Sequence, residues 1–407
     1  MKYCTNCGKQ LENNFEFCQF CGTKCASAPK EENIGSHSSE NSHHSTTSQA
    51  PQINEHWLDK LTQKISEFAG GTSSVRPPLK TIFGDITKKH DDNASSEIFI
   101  CGTPLTTPTL SENDAVWPRP WLWTRILIAF AAAFALLHLC CDSFGSTNSY
   151  PGLMVIGSFM VPIAMLVFFF ELNTPKNISF FTIIKYFLVG GCASLVTTLL
   201  LYDFFSMQLN EWLSATLVGI IEEIGKLAII AIIIWRNKNV KYGLNGLLIG
   251  AAIGAGFAAF ESAGYAFNTF FESFFVTLDI RFSYREMTEN ILLRALLAPG
   301  GHVIWAAMSG YAVMLVKGEK QLDMSFLNQK AFWKVFWIPI ALHAMWDMPI
   351  YFGTSIIGVL IPKIFIILLG WLVIFVLLDI CLGQIGAILQ KASKETNDPS
   401  QSEHTTT

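Results

Sequence analysis

Residues 219–265, GIIEEIGKLAIIAIIIWRNKNVKYGLNGLLIGAAIGAGFAAFESAGY, constrain this chain more than any other stretch. They read as two apolar helices joined by a short basic loop. Glu222, Glu223, Lys226 and Glu261 lie inside the apolar runs. An ionisable group in hydrocarbon costs about 3 kcal/mol on insertion scales unless it is paired or wetted. A chain that keeps four such groups there has a use for them.

The rest of the sequence places those helices in a bilayer. The chain is 51% hydrophobic and 15% charged, too apolar for a soluble protein of 407 residues. From Trp121 it supports about eight transmembrane helices of roughly twenty residues each: 121–141, 152–170, 180–202, 211–235, 243–268, 293–316, 333–352 and 357–382. The expected fold is thus an all-α polytopic membrane protein. The first residues carry no signal-peptide pattern. Trp117, Trp121 and Trp123 suit an interfacial belt. Lys176 and Lys185, then Arg236, Lys238 and Lys241, then Lys317, Lys320, Lys330 and Lys334, and finally Lys391 and Lys394 mark cytoplasmic ends. Loops 142–151 and 203–210 have no Lys or Arg. This predicts both termini in the cytoplasm of a multi-pass cell-membrane protein. Residues 269–292 are expected as an external loop, although Arg281 and Arg285 run against the rule, and its phenylalanines would graze the membrane surface. The net charge of −4 gives no footprint for a nucleic acid.

Cys4, Cys7, Cys18 and Cys21 form CxxC, ten residues, CxxC. Two such knuckles complete a closed tetrahedral structural zinc site, and a closed site has no open position for catalysis. Residues 1–25 are therefore expected as a cytoplasmic zinc ribbon that could engage a protein partner. Residues 26–116 are expected as a linker, disordered at its Ser-, Thr- and His-rich start. Within it, Ile53, Trp57, Leu58, Leu61, Ile65 and Phe68 recur at helical spacing over 53–69, which gives an amphipathic helix on the membrane or against a partner, or equally the core of a small soluble subdomain. Residues 117–392 form the membrane domain, and 393–407 a polar disordered tail.

The polar residues inside the spans fall into a pattern. Glu222 and Glu223 share a helical face with Lys226. Phe257, Glu261 and Tyr265 recur at i, i+4, i+8, and Gly246, Gly250 and Gly254 form a small-xxx-small stripe that admits a close neighbour, for which the preceding span is the obvious candidate. His302 follows Pro299, Gly300 and Gly301. His343 and Asp347 stand four apart in HAMWD, which suits a carboxylate orienting an imidazole, or a pair of metal ligands. His138 has no such company and reads as structural. Counting about 1.5 Å per residue, these groups all fall in the outer half of the membrane or near its midplane, so one site is expected rather than separate pairs.

The sets EExxK (Glu222, Glu223, Lys226), FxxxExxxY (Phe257, Glu261, Tyr265) and HxxxD (His343, Asp347), with His302 in PGGH, resemble the signature motifs of PrsW-type intramembrane proteases. The resemblance covers about residues 120–390, and more distantly it is similar to the CaaX type II prenyl proteases. It implies cleavage of a membrane-anchored protein, in some relatives an anti-sigma factor. The residues themselves support a buried acid/base site. In the reading that joins the two, Glu222 or Glu223 activates a water and Lys226 tunes that pair. His302, His343 or Tyr265 stabilises the oxyanion or protonates the leaving amine. Asp347 orients His343, and Glu261 is a second acid or a supporting group. The lipid bilayer and a membrane protein substrate are the partners. HExxH is absent, so a catalytic metal is not the first expectation, although three carboxylates and two histidines could hold one. A proton-coupled transporter, or a non-catalytic scaffold with a partner-binding ribbon, are the alternatives.

Overall fold

The computed structural model describes residues 2–3, 10–11, 55–205, 210–237, 240–353 and 355–397. It divides into two units, Met1–Ile53 and Asn54–Thr407. In the first, strand β1 (Lys2–Tyr3) pairs antiparallel with β2 (Gln10–Leu11). The four cysteines of the expected zinc ribbon lie outside the described residues, as do the start of the linker and residues 398–407.

The second unit is helical. It opens with α1 (Glu55–Phe68), followed by the short helices α2 (Leu79–Ile82) and α3 (Asp92–Phe99) and a 3-10 turn at Glu112–Ala115. The amphipathic pattern of 53–69 does form a helix, and its inner face is docked. Thr62, Ser66 and Ala69 are buried, and Tyr311 Oη donates to Ala69 O at 3.0 Å. The helices that follow are α4 (Leu122–Asp142), α5 (Tyr150–Leu172), α6 (Phe180–Lys185) continuing through a π turn into α7 (Gly191–Phe204), α8 (Glu211–Arg236), α9 (Gly243–Thr277), α10 (Ile280–Leu297), α11 (His302–Lys317), α12 (Lys330–Asp347) and α13 (Ile356–Asn397).

Among the described residues, six segments are long and apolar enough to cross a membrane: Leu122–Asp142, Thr147–Leu172, Phe180–Phe204, Gly243–Thr277, Ile280–Lys317 and Ile356–Lys394. The two other expected spans are the helices α8 and α12. They fall outside the apolar set because they carry the ionisable residues: Glu222, Glu223 and Lys226 on one, and Lys330, Lys334 and Asp347 on the other.

Helix α9 is the axis of the unit. Every residue from Gly243 to Ala259 is buried. Its glycine stripe makes a close contact, but not with the preceding span. A Cβ at Gly246, Gly250 or Gly254 would run into the carbonyl oxygens of Gly310, Ala306 and His302, all on α11. The expected partner, α8, instead meets α12 through Gly219, where a Cβ would strike the backbone of Ala344, and meets α7 through Gly225 against Thr198. Small residues admit close backbones but do not say whose.

Two expectations about residues 269–316 change. Residues 269–292 are not a loop. Helix α9 runs on to Thr277, Leu278 turns the chain in the left-handed region (φ 55°), and Asp279 caps α10 by accepting from the N–H groups of Arg281 and Phe282. The reason is periodic burial: Ala266, Phe270, Tyr284, Met287 and Ile291 form a second core with Phe134, Cys141 and Leu153. The expected span 293–316 is broken. Residues Ala298–Gly300 form a 3-10 turn, pinned where Trp371 Nε1 donates to Pro299 O at 3.0 Å, and His302 begins the new helix. At the other end, α13 continues to Asn397, into the segment expected as a disordered tail.

Candidate active site

The break at Pro299–Gly301 places His302 at a helix start, beside α9 and α8. The Gly254 contact seats the carbonyl of His302 against α9. Two turns further along α9, Glu261 Oε2 accepts from His302 Nε2 at 3.0 Å. The opposite ring nitrogen, Nδ1, is 3.0 Å from Lys226 Nζ and 3.9 Å from Glu222 Oε2. An Nε2–H tautomer satisfies both neighbours: it donates to the carboxylate and accepts from the ammonium.

His343 is the counterpart on α12. Its Nδ1 donates to Glu223 Oε1 at 2.9 Å. Its Nε2 is 3.3 Å from Asp347 Oδ2 and 3.6 Å from Glu222 Oε2. The ring of Trp305 stacks on His343 with centroids 4.4 Å apart. Lys226 Nζ, fully buried, lies 2.8 Å from Glu223 Oε1 and 3.4 Å from Glu222 Oε2, above the Phe257 ring at 4.2 Å. The i, i+3 and i, i+4 offsets on α8 bring both carboxylates to one ammonium.

The adjacent glutamates are thereby distinguished. Glu222 lines a cavity of about 490 Å³ together with Glu261, Tyr265, His302, His343 and Asp347. Glu223 does not line it. It is fully buried behind Lys226 and His343, and its Oε2 has no hydrogen-bond partner among the described residues.

All eight residues singled out for catalysis in the sequence are at this site. Seven are joined by hydrogen bonds or ion pairs; Tyr265 lines the cavity by its ring. Three further residues belong to it. Arg294 of α10 donates from Nη2 to Glu261 Oε2 at 2.6 Å and from Nε to Ser262 Oγ at 3.0 Å. Tyr202 Oη donates to Glu222 Oε1 at 3.2 Å. Trp305 is the third. Arg294 had a usable sequence signal, a cation eight residues before His302 in an apolar stretch; Tyr202 and Trp305 had none. His138 is elsewhere, hydrogen-bonded through Nδ1 to Tyr284 Oη.

The arrangement fits a metal ion. Glu222, His302 and His343 each offer one ligand atom, and the three atoms lie within 4.8 Å of one another. Tetrahedral zinc, with bonds of about 2.0–2.1 Å, needs its ligand atoms roughly 3.4 Å apart, close to the 3.6 and 3.9 Å separations from Glu222 Oε2. Each histidine turns one nitrogen to a carboxylate and the other toward Glu222, the carboxylate–histidine–metal pattern. Charge agrees. Four carboxylates (Glu222, Glu223, Glu261, Asp347) face two cations in direct contact (Lys226, Arg294), an excess of two negative charges. Lys363 stands farther out, 5.0 Å from the Trp346 ring centroid.

Fold and site together define a polytopic helical membrane protein with a buried site of carboxylates, histidines and lysine beside a cavity. The family model of the PrsW family intramembrane metalloproteases matches residues 179–378, which supports a PrsW-type intramembrane protease. That segment runs from α6 through most of α13 and contains every site residue named above. No curated protein and no solved structure matches the chain.

Proposed function

We propose that this chain is an intramembrane endopeptidase that cleaves a membrane-anchored protein, with a divalent metal held by Glu222, His302 and His343. The observation that carries the proposal is the shared geometry of the two histidines. Each is oriented by a buried carboxylate, Glu261 or Glu223, and each turns its second nitrogen to Glu222. A metal bound there lowers the pKa of a water and polarises the scissile carbonyl.

The chain's own residues do the rest. Glu223 and Glu261 hold the two imidazoles in the tautomers that leave Nε2 of His343 and Nδ1 of His302 as acceptors. Tyr202 fixes the second oxygen of Glu222. Asp347, with 30% of its side chain exposed and beside His343 Nε2, takes the proton from the attacking water and returns it to the leaving amine. Lys226 supplies the counter-charge to Glu223 and Glu222 in a low-dielectric surrounding. Regulators of the anti-sigma type are fitting substrates.

The same reading has α8 and α12 crossing the membrane with the six apolar segments, making eight spans with both termini cytoplasmic. Glu222, Glu223 and Lys226 of α8 pair with one another and with His343 of α12, which also meets Asp347, so these groups need not face lipid. The N-terminal cysteines form a structural zinc ribbon that engages a cytoplasmic partner. The antiparallel pair β1–β2, which flanks the Cys4/Cys7 knuckle, supports it.

One observation favours a second reading, a glutamate base without metal: Lys226 Nζ stands 3.0 Å from His302 Nδ1, where it competes for that lone pair. Reconstitution separates the two. The full-length chain with Cys4, Cys7, Cys18 and Cys21 replaced by Ser is placed in liposomes with a membrane-anchored reporter. The expected result is chelator-sensitive cleavage and one metal per chain, both lost in Glu222→Gln and His343→Ala. Cleavage without metal returns the site to the glutamate base, and full cleavage by Glu222→Gln ends both readings.

A further inference from the structure

The FxxxExxxY set on α9 has a physical logic that extends to a residue outside it. Phe257, Glu261 and Tyr265 lie on one face at successive turns. The first aromatic ring seats a cation, Lys226 Nζ at 4.2 Å, and also meets the His302 ring at 5.0 Å. The last aromatic ring seats another cation, the Arg294 guanidinium, also at 4.2 Å. The carboxylate between them bonds His302 on one side and Arg294 on the other, both through Oε2. The motif thus holds two cations on two rings, with the acid and its histidine between them.

Resting on the metalloprotease reading above, we infer that Arg294 is a positioning residue for metal binding, and that Tyr265 acts through its ring as the seat of Arg294. The guanidinium is fixed at three points: Nη2 on Glu261, Nε on Ser262 Oγ, and its face on Tyr265. A planar fork anchored in this way sets the direction of the Glu261 carboxylate. Glu261 then holds the His302 ring with Nε2–H toward itself and Nδ1 toward Glu222. Arg294 therefore tunes His302 without touching metal or substrate. Its helix, α10, ties the outer end of the molecule to the site. Lysine cannot replace it, because an ammonium on a flexible stem does not bridge a carboxylate and a hydroxyl in one plane.

The test uses the full-length chain with the four N-terminal cysteines replaced by Ser, and reads zinc affinity by competition with a chromophoric chelator alongside kcat and KM on the reporter. Loss of an orienting partner of a metal-bound histidine lowers metal affinity about tenfold to a hundredfold. Arg294→Gln is expected to fall in that range, with kcat reduced at unchanged KM in limiting metal. Arg294→Lys, which keeps the charge and guards against misfolding of the Gln variant, recovers only part. Tyr265→Leu weakens zinc to a similar degree, and Tyr265→Phe restores it. Glu222→Gln is the reference. If it binds zinc as tightly as the parent, the metal reading itself fails. If it loses zinc while Arg294→Gln binds like the parent, the role of Arg294 is overturned. A raised KM with unchanged zinc affinity in Arg294→Gln also overturns it, since Arg294 would then contact substrate. A Tyr265→Phe variant as weak as Tyr265→Leu overturns the ring seat and points to the hydroxyl.

Discussion

Two histidine clusters sit in the helices of this protein, and their company differs. His302 and His343 each have a carboxylate on one nitrogen, share Glu222 on the other side, and lie within a network that includes Lys226 and Arg294. His138 has a phenol. Its Nδ1 accepts from Tyr284 Oη at 2.5 Å, its ring stacks near Phe134 and Tyr284, and Tyr284 in turn stacks on Tyr150. Among the described residues His138 makes no ion pair. That environment offers the imidazole a hydroxyl and aromatic rings but no carboxylate. At the candidate site His343 leaves its Nε2 lone pair facing Asp347 and Glu222, a position that a cation relieves, while the Nδ1 lone pair of His302 meets the Lys226 ammonium. The difference predicts that charge around a membrane histidine, rather than the histidine itself, separates the candidate site from a structural contact.

The comparison is broken most sharply at Glu222, the one group that both site histidines address. Glu222→Gln keeps the shape and the bond from Tyr202 but removes the charge. Cleavage is expected to fall by about a thousandfold or more, as when one member of a cooperating catalytic set is lost, and a reconstituted reporter assay measures it. Glu223→Gln is expected to cost less, because Glu223 lies outside the cavity and acts by orienting His343. A loss of roughly tenfold to a hundredfold is the range for an orienting carboxylate. Equal losses in the two variants would remove the distinction drawn between the adjacent glutamates.

Stability sharpens the contrast next. Lys226 is fully buried with carboxylates at 2.8 and 3.4 Å. Lys226→Met leaves them without their counter-charge, and breaking a buried pair in this way costs about 3–5 kcal/mol. Thermal unfolding in a defined detergent should show a large drop, partly recovered by added divalent metal if the metal supplies the missing charge.

Much of this site was legible in the sequence because helical spacing is a local property. EExxK, FxxxExxxY and HxxxD each place their groups on one face, and the expense of charge in apolar helices points to a common site. What could not be read was which helices meet. The glycine stripe announces a close contact but not that α11, instead of α8, supplies it. Arg294 was visible as a cation in an apolar stretch, yet its place against Glu261 depends on α10 folding back along α9. Residues 269–292 looked like a loop because Arg281, Arg285, Glu286 and Glu289 interrupt the hydropathy. The buried Tyr284, Met287 and Ile291 follow a helical repeat that those charges mask. Charge also keeps α8 and α12, which bring Glu222, Glu223, Lys226, His343 and Asp347 to the site, out of a count of apolar helices.

The smallest expected effects belong to the aromatic cluster, and they test the comparison from its quiet side. Tyr284→Phe removes the phenol that donates to His138 while keeping the ring in its core with Phe270 and Met287. An imidazole nitrogen loses its partner, at a cost of about 1–3 kcal/mol. His138→Leu combined with Tyr284→Phe removes donor and acceptor together and leaves apolar groups of similar size, so the double variant is expected to lie within about 1 kcal/mol of the parent. Unfolding in detergent reads this recovery, and the reporter assay reads function, where cleavage within about twofold of the parent is expected because no group of this cluster bonds to the site. A loss of cleavage at unchanged stability would mean that His138 takes part in the chemistry, and the rule that charged company separates working membrane histidines from structural ones would fail in this protein.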